Sequence, residues 1–176
     1  MIGFFMAAAA QAVTVETPVE GQTGVWLSSG GAAVSSGMSI AGGIIRYQTS
    51  VTAADVYSRG VLAGASVGYW GNLYVHSGGL ATDTVVYMNG ANAYARAGVL
   101  SDTTITAGRF YIQSGGTAAG AVVSGGSLVV QSGSASAVIV NEGGTLVVSS
   151  GGTALAVTSN AGAVVNSSAG AYIEYA

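Results

Sequence analysis

Leu73-Tyr-Val-His-Ser-Gly-Gly79 is one copy of a seven-residue segment that recurs along this chain of 176 residues. The other copies are Phe110-Tyr-Ile-Gln-Ser-Gly-Gly116, Leu128-Val-Val-Gln-Ser-Gly-Ser134, Leu146-Val-Val-Ser-Ser-Gly-Gly152 and the more diverged Val164-Val-Asn-Ser-Ser-Ala-Gly170. With Gly98 filling the one gap, the last residues of the copies follow one another at a nearly constant spacing. A fixed internal period of about 18–19 residues indicates a repeat architecture, in which each repeat is one supersecondary unit.

Side chains within each copy alternate between two faces, which is the pattern of a β-strand rather than of a helix. Aligning the copies on their last residues produces three columns. They read Leu73, Asn92, Phe110, Leu128, Leu146 and Val164; Tyr74, Ala93, Tyr111, Val129, Val147 and Val165; and Val75, Tyr94, Ile112, Val130, Val148 and Asn166. The first and third columns are predicted to face the interior, and the second is predicted to face outward.

Each period is predicted to contain two short strands and two corners, because Gly pairs and Ser-Gly adopt positive φ at little cost. Coils stacked about 4.8 Å apart pair like with like, so every strand is parallel to its copies above and below. No coil buries its apolar side alone, and the core forms only by stacking. The predicted fold is therefore all-β, a single-stranded parallel β-helix (β-solenoid) of about eight coils and about 40 Å in length.

Three regions are predicted along the chain: an apolar segment and a strand at 1–23, the solenoid at 24–170, and an apolar tail at 171–176. The solenoid is expected to begin with a copy of the segment, Gly24-Val-Trp-Leu-Ser-Ser-Gly-Gly31. The period then assigns the coils 72–90, 91–108, 109–126, 127–144 and 145–162. Over 44–71 the spacing departs from the period, and a half-coil insertion and a loop both explain the departure.

The first twelve residues, MIGFFMAAAAQA, are apolar and end in Ala10-Gln-Ala12, which resembles the small-x-small site of a secretory signal peptide. No Lys or Arg precedes Arg46, so the basic n-region of such a peptide is missing. The run is also shorter than the about 20 residues of a transmembrane helix. Besides a cleaved signal peptide, the alternatives are a cap over the first coil of its own subunit and a plug that docks on a neighbouring subunit.

Charged residues make up only 6% of the chain, Lys is absent, and the four cations are Arg46, Arg59, Arg96 and Arg109. These scattered arginines exclude the clustered basic surface of a nucleic-acid-binding protein. The absence of Cys excludes a disulfide scaffold and Cys-ligated metals. A net charge of −3 with half of the residues hydrophobic gives weak repulsion between copies, which favours association.

Short motifs with Ser-Gly-Gly or Gly-Gly at their centre accompany the period. They are Ser77-Gly-Gly79, Ser114-Gly-Gly-Thr-Ala118, Gly125-Gly-Ser-Leu-Val129, Gly143-Gly-Thr-Leu-Val147 and Ser150-Gly-Gly-Thr-Ala154. These motifs resemble the AIDA-type repeat of bacterial autotransporter adhesin passenger domains, and the resemblance covers about 24–170. It implies a right-handed parallel β-solenoid outside a bacterial cell, with roles in adhesion, aggregation or biofilm formation and with Ser/Thr O-glycosylation.

Side chains that carry chemistry are sparse, and no catalytic, cofactor-binding or metal-binding residue is assigned. The single histidine, His76, is predicted to be an outward strand residue, because one His without Cys supports neither a zinc site nor a nucleophile–base pair. Asp83 and Asp102 are one period apart and are expected to stack on adjacent coils, with no third acid in their column. Arg96 is expected near Asp102 or in solvent. The chain is predicted not to be an enzyme.

An open end of a solenoid exposes unpaired N–H and C=O groups that recruit another chain, and both termini here are apolar. The leading hypothesis is a non-enzymatic structural protein whose subunits stack end to end, as a homo-oligomer, into an extracellular filament or surface layer. The candidate assembly residues are Ile2, Phe4, Phe5, Met6, Tyr74, Tyr111, Tyr172, Ile173 and Tyr175.

The alternative hypothesis is an adhesin module of an autotransporter passenger that mediates adhesion, aggregation or biofilm formation. Both hypotheses place the protein outside the cell or on the bacterial surface, without a cofactor and without nucleic acid. Contacts with a cell surface or with glycans are the further partners considered. A third hypothesis, a polysaccharide lyase or hydrolase, requires Asp83, Asp102 and Arg96 to line one groove.

Overall fold

A computed structural model describes residues 14–16, 26–28, 32–34, 39–45, 53–58, 60–68 and 70–176. The strands in these ranges are β1 (Thr14–Glu16), β2 (Trp26–Ser28), β3 (Ala32–Val34), β4 (Ser39–Ile45), β5 (Ala53–Val56), β6 (Val61–Val67), β7 (Asn72–Val75), β8 (Leu80–Thr82), β9 (Val85–Val86), β10 (Asn92–Ala95), β11 (Val99–Ser101), β12 (Thr104–Ile105), β13 (Arg109–Ile112), β14 (Thr117–Ala119), β15 (Val122–Val123), β16 (Ser127–Val130), β17 (Ser134–Ser136), β18 (Ile139–Val140), β19 (Thr145–Val148), β20 (Thr153–Ser159), β21 (Val164–Ser167) and β22 (Tyr172–Tyr175). None of the described residues belongs to a helix that is long and apolar enough to span a membrane.

Strands from successive coils lie side by side in two sheets. The recurring segments form an eight-stranded sheet in the order β21-β19-β16-β13-β10-β7-β5-β3, and the other strands form a fourteen-stranded sheet. Every pairing along the eight-stranded sheet is parallel, so the predicted parallel β-solenoid is confirmed. The continuous solenoid makes about six turns of about 19 residues, fewer than the eight coils expected, and the strands before Ala53 are described only in short segments.

Two files of apolar side chains from the eight-stranded sheet fill the interior. The first file contains Leu73, Ala93, Phe110, Leu128 and Leu146, and the second contains Val75, Ala95, Ile112, Val130 and Val148. All ten side chains are fully buried. Burial of one Leu, Val or Phe side chain contributes about 1.5–3 kcal/mol relative to its exposure. The predicted interior file through Phe110, Leu128 and Leu146 is confirmed.

The coil at 91–108 is shifted by one residue from the predicted alignment. Tyr94 lies outward beside Tyr74, and Ala93 lies inward beside Leu73, whereas the alignment placed Asn92 and Tyr94 inside. The prediction was wrong because the corners differ in length. Three residues connect His76 to Leu80, but only two connect the equivalent Arg96 to Val99.

The last copy of the segment is shifted in the same way. Val165 pairs with Leu146 and packs against the core, and Val164 is exposed. The prediction had the two valines reversed, because Gly170 is equivalent to Gly151 and not to Gly152 in this register.

The four coils from β7 to β18 each contain three strands rather than the two predicted, whereas β6 and β20 continue as single strands through the same stretch. In each of these six stretches, one residue has a positive φ. These residues are Gly64, Asp83, Asp102, Gly120, Ala137 and Ala156, with φ values of 68°, 51°, 52°, 67°, 51° and 50°. The residue that follows each of them is buried: Ala65, Thr84, Thr103, Ala121, Val138 and Val157. A single left-handed residue therefore bends the chain and turns the next side chain into the core.

The irregular spacing over 44–71 results from three additional residues in one coil and not from a half-coil insertion. Ala32 pairs with Ala54, whereas Ala53 pairs with Asn72, so the earlier coil is longer by three residues. The longer offset holds over all of β4 and β6, from Ser39 with Val61 to Ile45 with Val67. The three additional residues therefore lie between Ile45 and Ala53, outside the described residues.

The two ends of the described chain add strands to the fourteen-stranded sheet. Trp26 of β2 pairs in parallel with Ile44, and β2 pairs with β1 antiparallel. The sequence analysis expected β2 to be a copy of the recurring segment, but β2 lies in the fourteen-stranded sheet and not beside the other copies. At the other end, Tyr172 pairs with Thr153 and Ile173 with Ala154. The described residues of the expected tail thus form a strand of the last coil.

Thr84 and Thr103 are stacked in the core, and their Oγ1 atoms have no hydrogen-bond partner among the described residues. Later coils carry alanine or valine at this position, including Val138. The Thr103→Val substitution is therefore expected to raise the free energy of unfolding by about 1 kcal/mol, because valine has the same shape and no unpaired hydroxyl. Urea unfolding followed by circular dichroism measures the change. Thr104→Val, at a partly exposed position, is the control. A lower free energy of unfolding for Thr103→Val than for the wild type would contradict the prediction.

Candidate functional site

The outward side of the eight-stranded sheet carries a ladder of tyrosines. Because Leu73, Ala93 and Phe110 point inward, the next residues, Tyr74, Tyr94 and Tyr111, point outward in one column. The rings of Tyr74 and Tyr94 stack at 4.7 Å between centroids, and those of Tyr94 and Tyr111 stack at 5.1 Å. These distances match the about 4.8 Å between coils, so the strand spacing itself sets the ring spacing.

Arg96 lies over this tyrosine ladder. Its guanidinium carbon is 4.2 Å from the ring centroid of Tyr74 and 5.2 Å from that of Tyr94. Its Nε donates a hydrogen bond of 3.0 Å to Oε1 of Gln113. Each cation–π contact at an exposed site contributes about 0.5–1 kcal/mol. Arg96 therefore contacts the tyrosine ladder rather than Asp102, and its side chain is exposed, as the second of the two expectations had it.

His76 extends the ladder towards β5. It faces outward, as predicted, but it has specific partners: its Nε2 is 2.7 Å from Oδ1 of Asp55, and its ring stacks on Tyr57 at 4.7 Å. The aromatic face is the surface formed by Tyr57, Tyr74, His76, Tyr94, Arg96 and Tyr111. It combines flat rings with polar and charged groups on four adjacent parallel strands and their ends.

Burial raises the pKa of the Tyr94 phenol, and the neighbouring Tyr74 and Tyr111 raise it further, whereas Arg96 and Arg109 lower it. A folded-state pKa above the unfolded value of about 10 means that the folded state holds the proton more tightly. The associated stability is present below about pH 10 and is lost as the pH rises through the folded-state pKa. Between about pH 9 and about pH 11, urea midpoints are expected to fall more steeply for the wild type than for Tyr94→Phe. Parallel pH profiles of the two proteins would contradict this expectation.

Beside the aromatic face, the corner that precedes β7, β10 and β13 forms an open cleft. The cleft has a volume of about 410 Å³ and is lined by Trp70, Asn89, Gly90, Ala91, Asn92, Gly108, Arg109, Gly126 and Ser127. Nδ2 of Asn72 donates to the carbonyl oxygen of Trp70, and Nδ2 of Asn92 donates to Oδ1 of Asn72 and to the carbonyl oxygen of Gly90. This asparagine pair holds the corner in place.

Asp83 and Asp102 occupy equivalent kinks on adjacent coils, as expected. They lie in the fourteen-stranded sheet, whereas Arg96 follows a strand of the other sheet, so the three side chains do not line one groove. In the described residues, no group of three His, Cys, Asp or Glu side chains is placed to hold a metal ion. The arrangement required by the lyase or hydrolase hypothesis is therefore not formed by these three residues.

The predicted assembly residues fall into three groups. Ile2, Phe4, Phe5 and Met6 lie outside the described residues. Tyr74 and Tyr111 are half-buried and belong to the tyrosine ladder. In the last coil, Tyr172 and Tyr175 are exposed, and Ile173 packs against the core.

Three aromatic residues of the aromatic face and of the cleft were not predicted as site residues. Tyr94 was predicted to face the interior, and Tyr57 and Trp70 were not singled out. For Trp70 a signal was present, because it is one of only two tryptophans in the chain and stands at a corner where most of the other coils carry glycine.

Comparisons with known proteins concern the fold. No protein-family model matches the chain, and no curated protein matches it. The chain is similar to the crystal structure of a TibC-catalysed hyper-glycosylated fragment of TibA, residues 55–350, with a TM-score of 0.54 and 24% sequence identity. The match covers 83% of this chain and 74% of that one. A likeness at this identity shows the fold alone, because one fold hosts many functions.

Proposed function

We propose that this chain is a non-enzymatic β-solenoid module at a bacterial cell surface, of the autotransporter passenger type, and that it binds its partners through the aromatic face. The observation that carries the proposal is the stacked set Tyr74, Tyr94 and Tyr111 with Arg96 across it. Tyr and Arg are the side chains enriched where proteins bind partners. The fold likeness to a passenger-type solenoid and the sequence motifs support the class of protein and its location outside the cell.

The rigidity of the face favours a binding role. Each ring is held by a parallel strand whose inward neighbours are fully buried, and ring stacking removes further rotamer freedom. A partner therefore meets a surface that loses little conformational entropy on binding. Tyr57 and Arg96 are exposed, so a partner can reach the face.

Adhesion of beads coated with the complete chain tests the proposal. The Tyr94→Ser substitution removes the central ring, and retention on bacterial and epithelial cell layers is expected to fall about tenfold, which corresponds to about 1.4 kcal/mol. Val147→Ser, in the same outward column two coils beyond Tyr111, is the matched control and is expected to leave retention unchanged. Equal retention for the wild type and for folded Tyr94→Ser would contradict a role of the aromatic face.

End-to-end assembly into a filament is the second candidate, and the last described coil favours it. Within the described residues, β21 pairs only with β19 and β22 only with β20, and Tyr172 and Tyr175 are 54% and 58% exposed. An unpaired strand edge with apolar side chains binds another strand readily. A second copy stacked there would extend both sheets.

Electron microscopy and sedimentation velocity of the complete chain test this candidate. Filaments that lengthen with protein concentration are expected, and the paired substitution Tyr172→Ser with Tyr175→Ser is expected to shorten them. Compact monomers at all concentrations would exclude the filament and would leave the adhesive role of the lateral face intact.

A further inference from the structure

Trp70 has a backbone conformation that is costly for its residue type. Its φ is +62°, and its equivalents in other coils include Gly90, Gly143 and Gly162, with φ of +86°, +75° and +79°. A left-handed backbone costs a residue with a side chain about 1–2 kcal/mol, whereas glycine adopts it freely. A bulky side chain at such a position therefore points to a use for that side chain.

The Trp70 indole lies flat on the neighbouring coil with one ring face open. A Cβ added to Gly90 would lie 2.7 Å from Cδ2 and Cε3 and 3.0 Å from Cε2 of the indole. Because Cδ2 is a ring-fusion carbon without a free edge, this approach occurs through the ring face. The residue is nevertheless 66% exposed, so the opposite face is turned to solvent.

Polar residues line the same cleft as the indole. Asn89 lies on the coil next to Trp70, and Arg109 and Ser127 lie two and three coils from Trp70. Gly108 and Gly126, at the corners before Arg109 and Ser127, have no side chain and leave the cleft open there. The volume of about 410 Å³ lies within the range of about 300–1,000 Å³ found for small-molecule sites.

The cleft carries a local positive charge on an acidic protein. Arg109 is exposed and, within the described part of the chain, forms no salt bridge. None of the described residues that line the cleft is acidic, and Glu142, on the same corner, is two coils and therefore about 10 Å beyond Arg109. A guanidinium without an acidic partner binds a carboxylate through two parallel hydrogen bonds.

We propose that this cleft binds a carboxylated sugar unit, such as a uronic acid residue of an acidic polysaccharide. The apolar C–H side of the pyranose ring stacks on the open indole face of Trp70, Arg109 binds the carboxylate, and Asn89 and Ser127 bind hydroxyl groups of this unit and of the neighbouring sugar. A peptide segment fits less well, because among the described residues of the lining Trp70 is the one large apolar side chain. The inference goes beyond the proposed role of the aromatic face, because the cleft lies beside that face and takes a ligand class of its own.

Short oligogalacturonate is the probe, and its fully methyl-esterified form is the matched neutral ligand. Isothermal titration calorimetry of the complete chain is expected to show binding of the acid and at least tenfold weaker binding of the ester. The Trp70→Gly substitution is expected to weaken binding of the acid at least tenfold. Glycine suits the left-handed backbone, so the melting temperature of this variant is expected to stay the same or to rise.

Two further variants separate the contributions. Arg109→Gln is expected to remove the preference for acid over ester, and Val147→Ser, outside both the cleft and the aromatic face, is expected to bind oligogalacturonate like the wild type. Equal binding of acid and ester by the wild type, wild-type affinity in Trp70→Gly, or no binding at all would each overturn the proposal. If Tyr94→Ser leaves adhesion unchanged while binding of oligogalacturonate still depends on Trp70, the adhesive role of the aromatic face is rejected and the proposal for the cleft stands.

Discussion

The Phe110→Ala substitution is expected to lower the free energy of unfolding by about 3–5 kcal/mol. Phe110 is fully buried and is the largest of the fully buried side chains. In the interior file it stands between Ala93 and Leu128. Ala93 has no side chain long enough to fill the vacated space, and the coil spacing is held by backbone hydrogen bonds on both sides. The cavity therefore persists, and the lost burial and the cavity both contribute.

Urea unfolding followed by far-ultraviolet circular dichroism measures this loss, with Tyr111→Ala as the control. Tyr111 is adjacent in sequence but faces outward and is half-buried, so its truncation is expected to cost less than half as much. Equal losses for the two variants would show that the interior file does not dominate the stability of this coil. Because solenoid repeats unfold with limited cooperativity, the comparison is made on transition midpoints and slopes.

The Gly116→Ala substitution is expected to destabilise the protein by about 3 kcal/mol. Gly116 belongs to a file of buried corner glycines that includes Gly98 and Gly133. An added Cβ would lie 2.8 Å from the carbonyl carbon of Ala95, closer still to its oxygen, and 3.0 Å from the Ala95 Cβ. These are mainly backbone atoms of the coil below, and they move only if the two coils separate.

Gly143→Ala is the control for Gly116→Ala, measured by the same urea unfolding. Gly143 has φ of +75°, and an added Cβ would meet only the carbonyl oxygen of Ser124, at 3.9 Å. Its substitution is expected to cost about 1 kcal/mol from backbone conformation alone. If Gly143→Ala lowered the free energy of unfolding more than Gly116→Ala, backbone conformation rather than packing between coils would decide which residues the corners tolerate.

In the coil at 91–108, the repeat alone does not determine which residues face the interior. In Asn92-Ala-Tyr-Ala95, the inward pair is either Asn92 with Tyr94 or Ala93 with Ala95, and the alignment of Gly98 with Gly79 predicts the first choice. The structure has the second choice, because the corner after Arg96 is one residue shorter than the corner after His76, and Ala93 is fully buried beside Phe110. A shift of one residue exchanges the two faces of a strand completely, so the tyrosine ladder was hidden from the sequence.

Contacts of the candidate site join residues that are distant along the chain. The outward position of His76 was predicted, but its partner Asp55 belongs to the preceding coil, and Arg96 contacts Tyr74 rather than an acid. Equivalence between Trp70 and Gly90 likewise requires the register of the strands that follow them. Such contacts depend on the length of every intervening corner.

The amino-acid sequence by itself determined the parallel β-solenoid and the interior file through Phe110, Leu128 and Leu146, because the regular period and the alternation of faces are local properties of the chain. Only the tertiary structure decided which residues form the aromatic face and the Trp70 cleft. Corners differ in length by one residue, and only the packing of side chains against the next coil selects the register that places Tyr94 outward and Trp70 on Gly90.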